Sequence, residues 1–401
     1  MTKPGGFFFI VLLGLIFASG SLGTDIFAPA QPSVAADFAA HDFDAQLIMS
    51  VYFAGLAFAQ IALGPLSDRF GRKPVLRFGL WLFSLSSLAC ALAPTINILI
   101  DVRFVQGVAA AAGLVTARAV ARDHFEGRTL GQTMAYMSLT LSLSPVLLPP
   151  IGGLLSSVYG WRANALFLAI LGALIALAME IFIRESLPPA RRSTLHPRVL
   201  LVNFLTIARH PVFLGYMLAG ALSFAGLFAF VANSSFVFRD RFGVSMAEHG
   251  AYLGLAFAGH SLGAFAGARL VGKLGSLKLI TIGAAVSAVS GVALLLSDML
   301  NIGGAVSASL VMFAYLFGAG FVYPQSLASA LHPFPQIAGS ASALMGFVVM
   351  LASSITSIII SALYAQTPMS MTIFIAGAGI LTLIVSLRLS RSGPEQAGAV
   401  S

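Results

Sequence analysis

Long apolar runs separated by short polar loops occupy most of the chain. Each run holds about 20 residues with few charges, which is the length that an α-helix needs to cross a bilayer core of about 30 Å. We therefore predict an all-α membrane protein with twelve transmembrane helices. The runs lie near residues 7–29, 45–66, 74–93, 97–120, 130–156, 163–183, 211–233, 247–270, 277–297, 302–324, 337–363 and 370–389.

One long polar interruption, near residues 184–210, separates two sets of six runs. The halves also resemble each other weakly, because Gly64–Gly71 after the second run has a faint counterpart in Gly267–Gly275 after the eighth. Many transporters build paired bundles of this kind around a site near the bilayer midplane. We predict an N-terminal six-helix bundle at 1–185, a cytoplasmic linker at 186–210, a C-terminal six-helix bundle at 211–390 and a cytoplasmic tail at 391–401.

The Lys and Arg residues are distributed unevenly between alternate loops. If the N-terminus is cytoplasmic, the outer loops hold only Arg162, Arg239 and Arg241, and nearly all the other basic residues fall in inner loops. An excess of Lys and Arg marks the cytoplasmic loops of membrane proteins. The asymmetry therefore predicts that both termini are cytoplasmic.

Composition excludes several classes of protein. Of 401 residues, 58% are hydrophobic and 9% are charged, whereas a soluble domain carries about 25% charged residues. The net charge of +8 is spread over short loops without interleaved aromatic residues, so we expect no nucleic-acid partner. Cys90 is the single cysteine, which excludes a disulfide framework and a CxxC site. Without a nucleophile beside a base, a metal-binding cluster or a Walker loop, the sequence predicts no enzyme, metal or cofactor.

Two charged side chains fall inside apolar runs. Arg103 lies in the fourth run, where a charge is costly unless it is paired or reaches water. Gln106 and Gly107 follow at i+3 and i+4 and share its helix face. Asp25 is the obvious counter-charge, and the pair predicts a proton switch. The alternatives are that Arg103 extends to the outer interface and that Asp25 lies at a helix end among lipid headgroups.

Other polar residues within apolar runs are candidates for a substrate cavity. His260 is also a candidate for a proton relay, although a lone histidine between packed helices is more often satisfied by a carbonyl. The 13 methionines and 32 phenylalanines suit either an adaptable apolar pocket or contact with lipid. The cavity candidates are Tyr52, Gln60, Gln106, Asn233, His260 and Gln325.

The loop after the second run, Gly64–Pro74, resembles the signature G-x-L-a-D-r-x-G-r-k of the major facilitator superfamily. Its glycines allow a tight turn, and Asp68 can pair with Arg72 or face a helix N-terminus. In that family the loop latches the two halves together on the cytoplasmic side, so the resemblance implies a gating role. The alternative is a basic loop that only orients the chain. The gating residues would be Gly64, Asp68, Arg69, Gly71, Arg72 and Lys73.

Further segments narrow the resemblance to the Bcr/CflA drug-resistance subfamily. Thr24–Pro32 resembles its T-D-x-y-l-P-a-x-P run, and Arg122-Asp123 stands where that subfamily has R-D after helix four. Arg103–Gly107 resembles the second superfamily signature, R-x-x-q-G. Helix five is similar to the antiporter signature G-P-x-x-G-G, although Leu148 replaces a glycine. The matching residues there are Pro145, Pro149, Gly152 and Gly153.

This resemblance implies a proton-coupled secondary transporter that exports small amphipathic compounds or antibiotics. Asp25 and Arg103 inherit the coupling roles. We expect a multi-pass protein of the bacterial cytoplasmic (inner) membrane, a monomer surrounded by lipid, with a small-molecule substrate and protons as partners. A dedicated exporter of a siderophore or metabolite would use the same parts. Uptake of a nutrient by symport is a further alternative, which the antiporter-like helix five disfavours.

Overall fold

The computed structural model describes residues 6–192, 197–364 and 369–391. Within them the chain forms fourteen α-helices and three short 3-10 turns, at Ala28–Ala30, Pro189–Arg191 and Pro335–Ile337. The predicted tail beyond residue 391 and linker residues 193–196 lie outside the described residues. The helices are α1 (Phe7–Asp25), α2 (Gln31–Asp37), α3 (Asp42–Phe70), α4 (Arg72–Ala91), α5 (Ile96–His124), α6 (Gly127–Tyr159), α7 (Arg162–Phe182), α8 (Pro197–Ala208), α9 (Pro211–Phe242), α10 (Met246–Leu274), α11 (Ser276–Met299), α12 (Ala305–Leu331), α13 (Ala338–Tyr364) and α14 (Ser370–Arg391).

Eleven segments of the described chain are long and apolar enough to cross a membrane, with α1 and α2 counted as one. This confirms the prediction of an all-α membrane protein. The helix that corresponds to the predicted eighth span, α10, does not reach that hydropathy, because His260 and several glycines interrupt its apolar residues. The linker contains a helix, α8, that the sequence did not predict.

The first span is broken where the sequence predicted a continuous helix over 7–29. α1 ends at Asp25, a 3-10 turn follows at Ala28–Ala30, and α2 begins at Gln31. Pro29 and Pro32 explain the break, because a proline has no amide hydrogen for the helix ladder and clashes with the preceding turn. Backbone groups next to Asp25 are therefore released from regular helical hydrogen bonding.

The first compact unit consists of Met1–Val199 together with Ser235–Gly254. In it, α5 packs against α1, α3 and α4, while α1 also packs against α6, and α4 against α7. A side chain at Gly153 of α6 would meet the backbone of Met246, and one at Gly250 of α10 would meet that of Pro149. The end of α9 and the start of α10 thus belong to the same compact unit as α1–α7.

The second compact unit consists of Leu200–Ser234 and Leu255–Ser401. There α11 packs against α12 and α14, and α13 lies beside α12 and α14. Ile207 of the linker helix α8 is buried in an apolar cluster with Phe213, Phe334 and Met345. This contact attaches α8 to the second unit and explains why an isolated apolar stretch in a polar linker is helical.

Glycines let α3 and α5 approach each other closely. A side chain at Gly107 of α5 would meet the carbonyl oxygen of Tyr52, and one at Gly55 of α3 would meet the carbonyl oxygen of Phe104. Small residues allow this backbone approach between helices in membranes, where no hydrophobic effect drives helices together. The α3–α5 contact therefore depends on the absence of a methyl group at these two positions.

We expect Gly107→Ala to lower the melting temperature of the detergent-purified protein by several degrees, because overpacking costs about 1–3 kcal/mol. The matched control is Gly131→Ala, since no atom lies within 4 Å of a side chain added at that helical glycine. Alanine favours a helix over glycine by about 1 kcal/mol, so the control should melt at the same temperature or slightly higher. Equal melting temperatures for the two variants would contradict the close packing of α3 on α5.

Candidate functional site

Arg103 of α5 is fully buried and bonded to three helices. Its Nε donates to the carbonyl oxygen of Ile48 on α3 at 3.1 Å, and its Nη1 donates to the carbonyl oxygen of Gly23 on α1 at 2.9 Å. Nη1 also donates to Gln106 Oε1 at 2.6 Å, which is the i+3 neighbour expected from the sequence. These acceptors offset the cost of a guanidinium inside the bundle. Arg103 therefore does not extend to an interface.

Two aromatic rings flank the guanidinium of Arg103. Its Cζ lies 4.6 Å from the ring centroid of Phe27 and 4.5 Å from that of Tyr52, within the range of cation–π attraction. The Tyr52 hydroxyl is 3.1 Å from the carbonyl oxygen of Gly20, to which it donates. A side chain at Gly23 would overlap the Tyr52 ring, so a glycine is needed there. The arginine is thus fixed in position by stacking as well as by hydrogen bonds.

Asp25, at the end of α1, is 4% exposed and is surrounded by hydroxyl groups. Ser144 Oγ of α6 donates to Asp25 Oδ2 at 2.9 Å, and Thr24 Oγ1 is 3.2 Å from Oδ1. Ser21 Oγ donates to Ser144 Oγ at 3.2 Å and also lies near the carboxylate. Asp25 is therefore buried inside the first unit and does not lie among headgroups.

Asp25 and Arg103 lie close together but do not form the expected ion pair in the described structure, where the carboxylate accepts hydrogen bonds from hydroxyls alone. Arg103 contacts residues on either side of Asp25 in the chain, namely Gly23 and Phe27. The backbone of the broken first span thus separates the two charges. No direct contact therefore holds the Asp25 carboxylate against the Arg103 guanidinium in the described structure.

The other cavity candidates divide between the two units. Tyr52 and Gln106 contact Arg103, and Gln106 Nε2 donates onward to Ser87 Oγ at 2.6 Å. Gln60 is buried in α3, and its Nε2 has no hydrogen-bond partner in the described structure. Only Tyr52 and Gln106 are therefore brought to the Arg103 site within the first unit.

Asn233, His260 and Gln325 lie in the second unit. Asn233 donates to the carbonyl oxygen of its own helix at Ala229, and Gln325 Oε1 accepts a hydrogen bond from Ser276. His260 is bonded to the backbone of Leu316, while its Nδ1 has no hydrogen-bond partner among the described residues. These contacts give the three residues local structural partners.

The predicted gating loop forms a network of charges in the first unit. Arg72 pairs with Asp68 and is 3.2 Å from Asp123 of α5. Gly71 has φ of +102°, which favours glycine and turns the chain between α3 and α4. Gly64 lies inside α3, where an added side chain would touch only Val115 at 4.0 Å. The expectation that Gly64 forms part of the tight turn is therefore wrong.

The remaining residues of this loop contact neighbouring side chains. The guanidinium of Arg69 stacks 5.2 Å from the ring centroid of Phe70, and Lys73 Nζ donates to the carbonyl oxygen of Glu180 at 2.8 Å. Glu185, which the sequence interpretation did not single out, accepts hydrogen bonds from the backbone N–H groups of Arg72 and Lys73 at 2.9 and 3.2 Å. A carboxylate at the N-terminus of α4 is stabilised by the unpaired amides of the first helical turn.

The proline-rich helix α6 lies beside Asp25. Pro145, Pro149 and Pro150 all fall inside the helix. A side chain at Gly152 would meet the carbonyl oxygen of Ile26, the residue after Asp25. Gly152 of the antiporter-like motif therefore lets α6 pack against the broken part of the first span. The sequence alone did not assign a role to Ser144, which donates to Asp25.

The comparisons with known proteins agree with this fold. Residues 13–357 match the family model described as Major Facilitator Superfamily. The chain is 32% identical to the Uncharacterized MFS-type transporter YdgK of Bacillus subtilis (strain 168), with 86% of each chain covered. It is 29% identical to a Bicyclomycin resistance protein homolog of Haemophilus influenzae, with 95% of each covered. It is 28% identical to Multidrug resistance protein D of Escherichia coli (strain K12), with 94% of this chain and 92% of the relative covered.

Solved structures share the architecture at low sequence identity. The crystal structure of a POT family transporter in complex with 5-aminolevulinic acid has a TM-score of 0.79 at 14% identity, and the match covers 98% of both chains. At that identity the likeness establishes the fold alone. The chain belongs to the Major Facilitator Superfamily, and its resemblance to the Bcr/CflA drug-resistance transporters is confirmed by the relatives that it matches over nearly its whole length.

Proposed function

We propose that this protein is a proton-coupled exporter of small amphipathic compounds, antibiotics among them, in the bacterial cytoplasmic membrane. Relatives that match over most of the chain are named for bicyclomycin resistance and multidrug resistance. The partners would be a small-molecule substrate, protons and the surrounding lipid, and the protein would act as a monomer. The membrane potential supplies about 2.3 kcal/mol per charge per 100 mV, which suffices to concentrate a solute.

One observation carries the proposal: a carboxylate is buried beside a buried guanidinium without being paired to it. A carboxylate in direct contact with Arg103 would be held in its charged form. Asp25, bonded only to hydroxyls, can accept a proton in one state of the transport cycle and release it in another. Intramembrane ionisable residues of this kind mark proton and substrate pathways.

We propose that Arg103 couples a change in the charge of Asp25 to a change in the position of α1. Its hydrogen bonds to Gly23 and Ile48 join the site to α1 and α3. Deprotonation of Asp25 would attract the guanidinium, and protonation would release it, so a change of charge would shift α1 against α5. That coupling is what exchange of a proton for a substrate requires.

The proposed topology has twelve crossing helices and both termini in the cytoplasm. α10 is the twelfth crossing helix, since its length of 29 residues suffices to span a bilayer. The proposed division is an N-terminal bundle at 1–185, a linker at 186–210, a C-terminal bundle at 211–390 and a tail at 391–401. The excess of basic residues in the predicted inner loops supports this orientation.

The proposed substrate contacts in the first unit are Tyr52, Gln60 and Gln106, and those in the second unit are Asn233, His260 and Gln325. In the gating loop, the Arg72 network is proposed to regulate opening on the cytoplasmic side. An exporter dedicated to a siderophore or a metabolite remains the alternative. Growth of a susceptible bacterium expressing the protein, measured against a panel of unrelated antibiotics, separates the two: protection against several classes supports multidrug export, and protection against none contradicts it.

Asp25→Asn is expected to abolish exchange. The amide keeps the size of the side chain and an acceptor for Ser144, but it cannot titrate. In proteoliposomes loaded with a pH-sensitive dye, a compound exported by the wild type should move no protons through this variant, while its melting temperature stays near that of the wild type. Asp101→Asn, an exposed carboxylate on α5, is the matched control and should exchange normally. Normal exchange by Asp25→Asn would reject the proposed function.

Arg103→Lys and Arg103→Ala are expected to differ in stability but not in coupling. Lysine supplies one ammonium group, so it cannot satisfy Ile48 and Gly23 at once while stacking between two rings. Alanine removes the hydrogen bonds that the guanidinium donates to Gly23, Ile48 and Gln106, at about 1–3 kcal/mol for each buried acceptor that is left without a partner. We expect Arg103→Lys to fold with impaired exchange and Arg103→Ala to melt at a clearly lower temperature. Wild-type exchange rates in Arg103→Lys would contradict a specific role for the guanidinium.

A further inference from the structure

The buried carboxylate of Asp25 is connected by hydroxyl groups to a more accessible position on α1. Ser144 Oγ donates to Asp25 Oδ2 at 2.9 Å, and Ser21 Oγ donates to Ser144 Oγ at 3.2 Å. Asp25 and Ser144 are 4% and 7% exposed, whereas Ser21 is only partly buried. The two serines therefore form a hydrogen-bonded chain from the buried carboxylate oxygen to the less buried hydroxyl of Ser21.

The hydroxyls have the chemistry that a proton relay needs. Each serine has one hydrogen to donate and lone pairs to accept another. Ser21 Oγ is also 3.0 Å from the carbonyl oxygen of Ala18, so its hydrogen can be directed either to that carbonyl or to Ser144. This choice of two acceptors lets the hydroxyl rotate between a conducting and a resting orientation.

Ser21 also lies near the carboxylate itself, while its hydroxyl is bonded to Ser144 and to the carbonyl oxygen of Ala18. Thr24 Oγ1 donates to the backbone carbonyl of Ser21 at 2.8 Å, and that oxygen has no proton to pass on. Tyr52 of α3 faces Asp25, and Arg103 of α5 lies across the backbone of the first span from it. The donors of Arg103 are committed to Gly23, Ile48 and Gln106, and Tyr52 donates to α1 carbonyls.

The neighbouring helices α6 and α7 add no competing acid or base. On α6, the nearest tyrosines in sequence are Tyr136 and Tyr159, which are 51% and 75% exposed and face away from the buried site. At the start of α7, Arg162 pairs with Asp37. The hydroxyl chain thus provides the direct connection between Asp25 and its surroundings.

We propose that Ser21 and Ser144 conduct the proton to and from Asp25, an inference that rests on the proposed coupling role of this carboxylate. On protonation, the hydrogen of Ser144 passes to Asp25 Oδ2, that of Ser21 passes to Ser144 Oγ, and Ser21 takes a proton from a hydronium ion, which becomes water. One proton moves in, each serine ends with one hydrogen, and the carboxylate becomes neutral. Release runs in the opposite direction.

The position of Ser144 in α6 makes the relay dependent on conformation. Pro145 follows it and removes one backbone hydrogen bond from the helix. Gly152 of the same helix packs against the backbone of Ile26. Movement of α6 along α1 displaces Ser144 from Asp25 but leaves Ser21 and Asp25 together on α1. The relay therefore opens and closes as α6 moves, which ties proton access to the conformational cycle.

The test measures proton uptake by the purified full chain after a rapid drop in pH, using a pH-sensitive dye in weak buffer and no transported compound. The part of the proton-uptake amplitude that disappears in Asp25→Asn measures the binding of a proton to Asp25. Ser144→Ala should keep that amplitude but slow its rate at least about tenfold, the low end of what a positioned proton-transfer group contributes. Ser144→Thr retains a hydroxyl and should restore the rate, and Ser21→Ala should be slow as well.

Ser157→Ala is the matched control, because this hydroxyl of α6 is exposed and bonds within its own helix to Leu154. It should behave as the wild type does. A wild-type uptake rate in Ser144→Ala, or a slow rate in Ser144→Thr equal to that of Ser144→Ala, would overturn the relay while leaving the role of Asp25 intact. An uptake amplitude in Asp25→Asn equal to that of the wild type would instead reject the coupling carboxylate and with it the proposed function.

Discussion

A guanidinium buried among apolar helices needs hydrogen-bond acceptors, and Arg103 obtains them from α1, from α3 and from its own helix α5. The carbonyl oxygens of Gly23 and Ile48 and the amide of Gln106 serve this purpose. The carbonyl group of Gly23 lies in the last turn of α1, where the break after Asp25 leaves it without a regular helical partner. Ile48 lies inside α3, and its carbonyl oxygen can accept from Arg103 through its second lone pair. The charge of Arg103 thereby fixes the arrangement of α1, α3 and α5.

Close packing around this arginine extends the same constraint. Glycines at positions 55 and 107 bring the backbones of α3 and α5 together, and Gly23 admits the Tyr52 ring. Asp25 lies within this frame but is bonded to α6 through Ser144. The site therefore combines the contacts of Arg103 with α1 and α3 and a separate contact of Asp25 with α6.

Much of the fold follows from sequence, because apolar runs of spanning length identify the helices. The neighbourhood of Arg103 was partly predictable, since Gln106 at i+3 must share its helix face. The absence of a direct Asp25–Arg103 ion pair was not predictable, because sequence does not give the register of α1 against α5. Glu185 was missed for a related reason: it reaches α4 across more than 100 residues of chain, with a separation of 113 from Arg72. Ser144 was missed because a serine among prolines carries no distinctive pattern.

The central claim is that one buried carboxylate exchanges a proton for the transported compound. The most direct measurement is the number of protons released when an exported antibiotic, chosen from the resistance panel, binds to the purified protein in weakly buffered solution. We expect release of protons on binding, and an antibiotic affinity that rises with pH as Asp25 loses its proton. Binding that releases no proton and has the same affinity at every pH would contradict it.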